Sequence, residues 1–178
     1  AVLGQTLPEI ATEKAGILKA GTRAVFGCQR AEVREVLRHH CERLLIPVRE
    51  VEADKITLAA DGFSYPKEPV YRMKMHGSYQ RENAMAAIFA ARELKQLGYP
   101  VTQEAICAGI SEAVWEGRME EVCKTPFLLL DGAHNADGVK ALVDSLKERY
   151  PGERFHFIIG VLADKDYREM VDLALPLA

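Results

Sequence analysis

Phe127-Leu128-Leu129-Leu130 is an unbroken apolar run that stops at Asp131-Gly132-Ala133-His134-Asn135, after which an amphipathic stretch begins. A short continuous apolar run bounded by a turn signal is the pattern of a strand covered on both faces, and a strand that feeds a helix through a tight polar turn belongs to an α/β fold. The following residues continue the alternation. A helix is expected over 135–150, a strand over 155–161 and a helix over 167–175, together a parallel βαβα unit. Open sheets of this kind bind ligands beyond the carboxyl ends of their strands, where this reading puts Asp131. Asp131 is equally suited to cap the next helix, since Asp is both a good N-cap and a good acceptor for ribose hydroxyls. His134 and Asn135 crowd the same turn, which favours a binding role.

Upstream, Thr6-Leu7-Pro8-Glu9 is a capping box with Pro in the first turn, so a helix is expected from about Leu7 to Ile17. The sequence then predicts a strand over 22–27, an amphipathic helix over 31–45, and short strands over 48–51, 56–58, 62–65 and 70–75, with a hairpin turn at Asp61-Gly62. Tyr79 to Leu97 is rich in Ala, which suits a helix packed closely on a sheet, and Gly98-Tyr99-Pro100 ends it. Thr102 caps a further helix to about Val114. Trp115 to Thr125 shows no regular period, and the domain boundary is placed there, with 1–116 in one domain and 117–178 in the next.

Several polar groups stand where chemistry is plausible. Lys14 lies in an otherwise apolar helical turn, though a lone helical Lys more often snorkels to solvent. Gln80 and Asn83 sit at i, i+3 in the first turn of a helix, where two amides offer donors and acceptors suited to a planar base or to capping. Arg118, in Gly117-Arg118-Met119-Glu120, has the geometry to hold a phosphate or stack on a base. Lys165 follows the second expected strand of the βαβα unit, on the same side as Asp131. No GxGxxG follows the Asp131 strand, and no GxxxxGK[ST] occurs, so neither common phosphate loop is present.

Global properties exclude other classes. A net charge of −3 and a pI near 6.0 give no basic footprint for nucleic acid, and the Arg34–Arg43 cluster is interleaved with acids like a solvated helix face. No apolar stretch approaches the roughly 20 residues that span a bilayer. Cysteines at 28, 41, 107 and 123 form no CxxC pair and are expected to be free thiols of a cytoplasmic protein. The absent initiator Met and a start inside a motif predict a portion of a longer chain, without turnover by itself.

In order along the chain stand Leu3-Gly4-x-Thr6, Ile10-Ala11-x-Glu13-Lys14-Ala15-Gly16-Ile17-x-Lys19, Gly77-x-x-Gln80-x-x-Asn83-Ala84, Gly117-Arg118-x-Glu120, Asp131-Gly132-Ala133-His134-Asn135 and Asp164-Lys165-Asp166. This series resembles folylpolyglutamate synthase/dihydrofolate synthase of the Mur-ligase superfamily. The resemblance implies an α/β fold comprising the rear part of a central ATPase domain (1–116) and the first part of a Rossmann-like C-terminal domain (117–178). It implies an ATP-dependent ligase that joins L-glutamate to a folate or dihydropteroate carboxylate through an acyl phosphate, with Mg²⁺, in the cytoplasm. It further implies small-molecule partners only and a monomeric full-length enzyme. Lys14 would be a carbamylated lysine that helps to position Mg²⁺, with Asn83 and Gln80 near the adenine and Arg118 and Asp131 on phosphate and ribose. His134 would lie beside the nucleotide, and Lys165 near the incoming amino acid or a phosphate. The EKAGI and DGAHN forms favour the folate branch over a Mur-type cell-wall amino-acid ligase, and a non-catalytic nucleotide-binding or protein-interaction module is a further alternative. Dihydrofolate synthesis, polyglutamylation or both fit the residues equally.

Overall fold

A computed structural model of the chain describes residues 4, 6–27, 29–162 and 165–178. Leu3 of the first motif, Cys28 and Asp164 lie outside the described residues. The chain is α/β and forms two compact units, one of residues 1–70 and 82–108, the other of residues 71–81 and 109–178.

In the first unit, α1 (Leu7–Ala15) starts at the expected capping box. The Thr6 hydroxyl accepts from the Glu9 amide at 3.4 Å, and the Glu9 carboxylate accepts from the Thr6 amide at 3.2 Å. β1 (Ala24–Phe26) and β2 (Val48–Glu50) pair in parallel through the crossover helix α2 (Ala31–Arg43), so the βαβ connection of this chain lies here. Ala24, Phe26, Cys41 and Ile46 form its buried core, with Leu18, Leu37, Leu44 and Val48 packed around them. The hairpin of β3 (Thr57–Ala59) and β4 (Gly62–Ser64) turns through Ala60 and Asp61, one residue earlier than its Asp-Gly pair suggests.

Helix α3 (Ser78–Gln96) buries Met85, Ile88 and Phe89. The spacing of these residues is that of one helical face. Glu93 on the same helix is only 8% exposed and pairs with both Arg23 and Arg49, the latter at 2.9 Å. A carboxylate withdrawn from water needs such partners, and two guanidinium groups offset its desolvation. Helix α4 (Gln103–Glu112) is capped as expected, with Thr102 Oγ1 accepting from the Ala105 amide at 3.1 Å.

In the second unit the expected parallel βαβα unit is not formed. β6 (Phe127–Leu130) pairs instead with an antiparallel strand, β5 (Glu120–Lys124), inside the segment that the sequence left irregular. The ladder runs Glu120↔Leu130, Glu121↔Leu129, Cys123↔Leu128 and Lys124↔Phe127, with Val122 as the extra residue of a bulge. Nor is β6 covered on both faces, because Phe127, Leu128 and Leu130 are each about half exposed.

Residues 155–161 adopt no regular secondary structure, and 70–75 contribute only an isolated bridge at Tyr71. Aromatic packing holds the 155–157 stretch, with the Phe155 ring 5.9 Å from Tyr150 and 6.4 Å from Phe127. Its Phe155 amide donates to Leu177 O at 2.8 Å. This stretch and β6 both line a cleft of about 620 Å³. Helices α5 (Ala136–Arg149) and α6 (Tyr167–Ala174) pack through Val139, Val143, Met170 and Ala174. Among the described residues Cys41, Cys107 and Cys123 are free thiols, and no helix is long and apolar enough to cross a membrane.

Removing the Glu93 carboxylate strands two guanidinium groups at once. Glu93→Ala is expected to lower stability by about 2 kcal/mol, since both Arg partners keep some solvent. Urea unfolding checks this. An unchanged midpoint would mean that water replaces the carboxylate without loss.

Candidate functional site

The β5–β6 ladder ends at Glu120↔Leu130, so the residues just outside it, 117–119 and 131–132, come face to face. This brings together two motifs that the sequence places on different features. The Gly132 amide donates to Gly117 O at 2.7 Å, the Met119 amide donates to Asp131 Oδ2 at 2.9 Å, and the Gly117 amide donates to Glu120 Oε2 at 2.7 Å. Gly117 and Met119 both have positive φ, 68° and 49°. For Met119 this is a strained backbone. The bond from its amide to Asp131, and the burial of its side chain at 2% exposure, hold it there.

Asp131 does not cap α5. That role belongs to Asn135, whose Oδ1 accepts from the Gly138 amide at 2.7 Å. The Asp131 carboxylate faces three donors instead: the Ala133 amide to Oδ1 at 2.8 Å, and the Met119 amide and Tyr79 hydroxyl to Oδ2, the latter at 3.2 Å. The Tyr79 hydroxyl is pushed up to about 12 by burial first, and then by the negative charge of Asp131 and the hydrogen bond to it. It therefore stays protonated and remains a donor. Gln80 is buried, at 6% exposure, and its side chain hydrogen-bonds the Tyr79 hydroxyl.

Arg118 is half-buried beside the glycine that makes room for it. A Cβ added to Gly132 would lie 2.2 Å from Arg118 Nη1. Among the described residues no carboxylate pairs with this guanidinium, whose one recorded hydrogen bond is a long contact of 3.5 Å from Nη1 to Gly117 O. It borders a hollow of about 180 Å³ that Lys74, His76 and Trp115 also line. His134 is exposed, with Nδ1 2.9 Å from Gly132 O. A carbonyl only accepts, so Nδ1 carries a proton, and in the neutral imidazole Nε2 is then the acceptor.

The other expected site residues are more scattered. Lys14 is exposed in the last turn of α1, and Asn83 is exposed on α3. Both belong to the first unit, whereas Gln80, Arg118, Asp131, His134 and Lys165 belong to the second. Lys165 is half-buried in the turn before Asp166, which caps α6 by accepting from the Glu169 amide at 3.2 Å. Among the described residues no group of three or more His, Cys, Asp or Glu side chains converges, so they do not by themselves fit a Mg²⁺ site. Sequence reasoning missed Tyr79. The one available signal was a large aromatic residue between the Gly77 turn and two helical amides.

Residues 117–177, which span this turn pair and α5–α6, match the family model "Mur ligase, glutamate ligase domain". The dihydrofolate synthase/folylpolyglutamate synthase of Bacillus subtilis (strain 168) is 35% identical over 96% of this chain and 42% of its own length. Over nearly its whole length, this chain is thus similar to folylpolyglutamate synthases and dihydrofolate synthases. The folylpolyglutamate synthase of Lacticaseibacillus casei is another relative, 32% identical over 96% of this chain and 42% of its own. Among solved structures, a folylpolyglutamate synthase in complex with AMPPCP and folate superposes with a TM-score of 0.87 at 30% identity, covering 98% of this chain and 45% of that one. The Mycobacterium tuberculosis folylpolyglutamate synthase complexed with ADP gives 0.79 at 27% identity over 98% of this chain and 42% of that one. The chain thus spans somewhat under half the length of these family members.

Two glycines of the family motifs are expected to behave differently. Gly77→Ala puts a Cβ 2.9 Å from the Tyr79 ring and 3.0 Å from Ser145 Oγ at a φ of +107°, and should cost about 1–3 kcal/mol. Gly132→Ala meets only the movable end of Arg118, so its unfolding midpoint should stay close to that of the parent while Arg118 is displaced. Denaturant melts of both variants and a crystal structure of the second check this pair.

Proposed function

We propose that this chain is part of an ATP-dependent ligase that joins L-glutamate to the carboxylate of folate or dihydropteroate. Residues 1–116 would supply the rear of its central ATP-binding domain, and 117–178 the first part of its Rossmann-like glutamate-ligase domain. One observation carries this reading: the Gly117-Arg118-Met119-Glu120 and Asp131–Asn135 turns are hydrogen-bonded to each other at one end of a hairpin, in a chain related to a dihydrofolate synthase/folylpolyglutamate synthase over 96% of its length. The relatives solved with AMPPCP and folate, or with ADP, support a nucleotide as the ligand.

The roles follow from what each group can offer. Arg118, a guanidinium without a carboxylate partner among the described residues, meets the negative charge of the phosphates. Asp131 accepts a ribose hydroxyl, and His134 offers Nε2 beside them. Exposed Asn83 is the amide for the adenine, whereas buried Gln80 acts through Tyr79. Lys165 faces the incoming amino acid or a phosphate.

Transfer of the terminal phosphoryl group of ATP to the substrate carboxylate gives an acyl phosphate and ADP. The glutamate amine then attacks the acyl carbon, and the tetrahedral intermediate expels phosphate to leave the amide. A fixed cation such as Arg118 stabilises the charge that develops on the phosphoryl oxygens. Mg²⁺, with Lys14 as a carbamate, would need oxygen ligands beyond those the described residues bring together. The enzyme would be cytoplasmic and monomeric, without nucleic-acid or membrane partners.

The test uses the intact protein with ATP and glutamate, offered either dihydropteroate and folate or a nucleotide-linked muramoyl peptide. Amide product from the first pair alone is expected. Product from the muramoyl peptide would assign a cell-wall ligase, and no product from either would assign a binding module. Arg118→Ala should lower kcat/KM for ATP by about a hundredfold or more. Lys14→Ala should nearly abolish turnover, and full activity in that variant would remove Lys14 from the site.

A further inference from the structure

A carboxylate offers about four acceptor positions. Asp131 fills three of them within the protein, two on Oδ2 from the Met119 amide and the Tyr79 hydroxyl, and one on Oδ1 from the Ala133 amide. The remaining position is therefore on Oδ1. Two of the three donors are backbone amides, so among the described residues Tyr79 is the side chain that hydrogen-bonds this carboxylate.

We propose that Tyr79 is a positioning residue for nucleotide recognition: it holds Oδ2 of Asp131 and leaves Oδ1 as the acceptor offered to the ribose diol. This rests on the reading of Asp131 as the ribose contact. The terminal torsion of an Asp side chain is soft, so a third anchor, from the first turn of α3, narrows the orientations the carboxylate samples.

Tyr79 is itself fixed on two sides. Its ring edge runs close over Gly77, where a Cβ would come within 2.9 Å of it. Its single hydroxyl proton goes to Asp131 Oδ2, so its oxygen is the accepting side of the hydrogen bond with the Gln80 side chain. Gln80, Tyr79 and Asp131 thus form a directed chain of donors that ends on the carboxylate. The arrangement lies within one compact unit.

The experiment compares two nucleotides in the intact protein. Dissociation constants for ADP and for 2′,3′-dideoxy-ADP are measured by calorimetry for the parent, Asp131→Asn, Tyr79→Phe and Tyr79→His. Tyr79→Phe is expected to weaken ADP by about three- to tenfold, the size of one hydrogen bond, and to leave the dideoxy nucleotide unchanged. Tyr79→His, which keeps a donor, should restore part of the loss. Because each variant is judged by the ratio of its two constants, partial unfolding does not imitate the effect. If Tyr79→Phe weakens both nucleotides equally, or neither, while Asp131→Asn still erases the preference for ADP, the role of Tyr79 is overturned and the ribose reading stands. If Asp131→Asn leaves that preference intact, the ribose reading falls and the Tyr79 proposal with it.

Discussion

The Asp131 carboxylate is the point on which three stretches of the second unit must agree. The turn before β5 reaches it through the Met119 amide, the turn after β6 through the Ala133 amide, and the first turn of α3 through the Tyr79 hydroxyl. Each donor alone contributes little net stability, but a half-buried carboxylate left without them would be costly. Satisfying the charge and assembling the site are therefore the same event. The positive φ of Met119, unfavourable for a residue with a side chain, persists because its amide is needed at that carboxylate.

A similar economy appears in the first unit, where Glu93 is nearly withdrawn from solvent between Arg23 and Arg49. The guanidinium of Arg49 also lies over the Phe89 ring at 5.2 Å, so one side chain serves both an ion pair and the apolar face of α3. Long-range polar pins of this kind join residues about 40 to 70 positions apart, and no local pattern announces them.

Sequence reading succeeded where the determinant is local. The Thr6 capping box, the amphipathic α2, the Ala-rich α3 and the Thr102 cap each state their structure within a few residues, and each forms within one to three residues of the expected bounds. It failed where the determinant is a partner. Glu120-Glu121-Val122-Cys123-Lys124 carries too much charge and too little alternation to resemble a strand, and becomes one because β6 lies beside it. Phe155 to Val161 has the opposite fault, since its β-rich composition suggests a buried strand, yet it joins no ladder: Phe155, Phe157 and Val161 pack while Ile158 is fully exposed. In the site, the motifs of Arg118 and Asp131 stand out in the sequence, though not their meeting in one pair of turns. Tyr79 does not stand out, because its meaning depends on a carboxylate 52 residues away.

The bulge at Val122 has a consequence for how this chain tolerates change. A strand's faces alternate with a period of two, so a single residue gained or lost reverses every side chain beyond it. Val122 is the odd residue that lets β5 regain step with β6 before the ladder ends at Glu120. The interval between the arginine motif and the aspartate motif is therefore a matter of phase and not only of reach. The identities of the residues between them can drift widely, but their number is counted by the sheet.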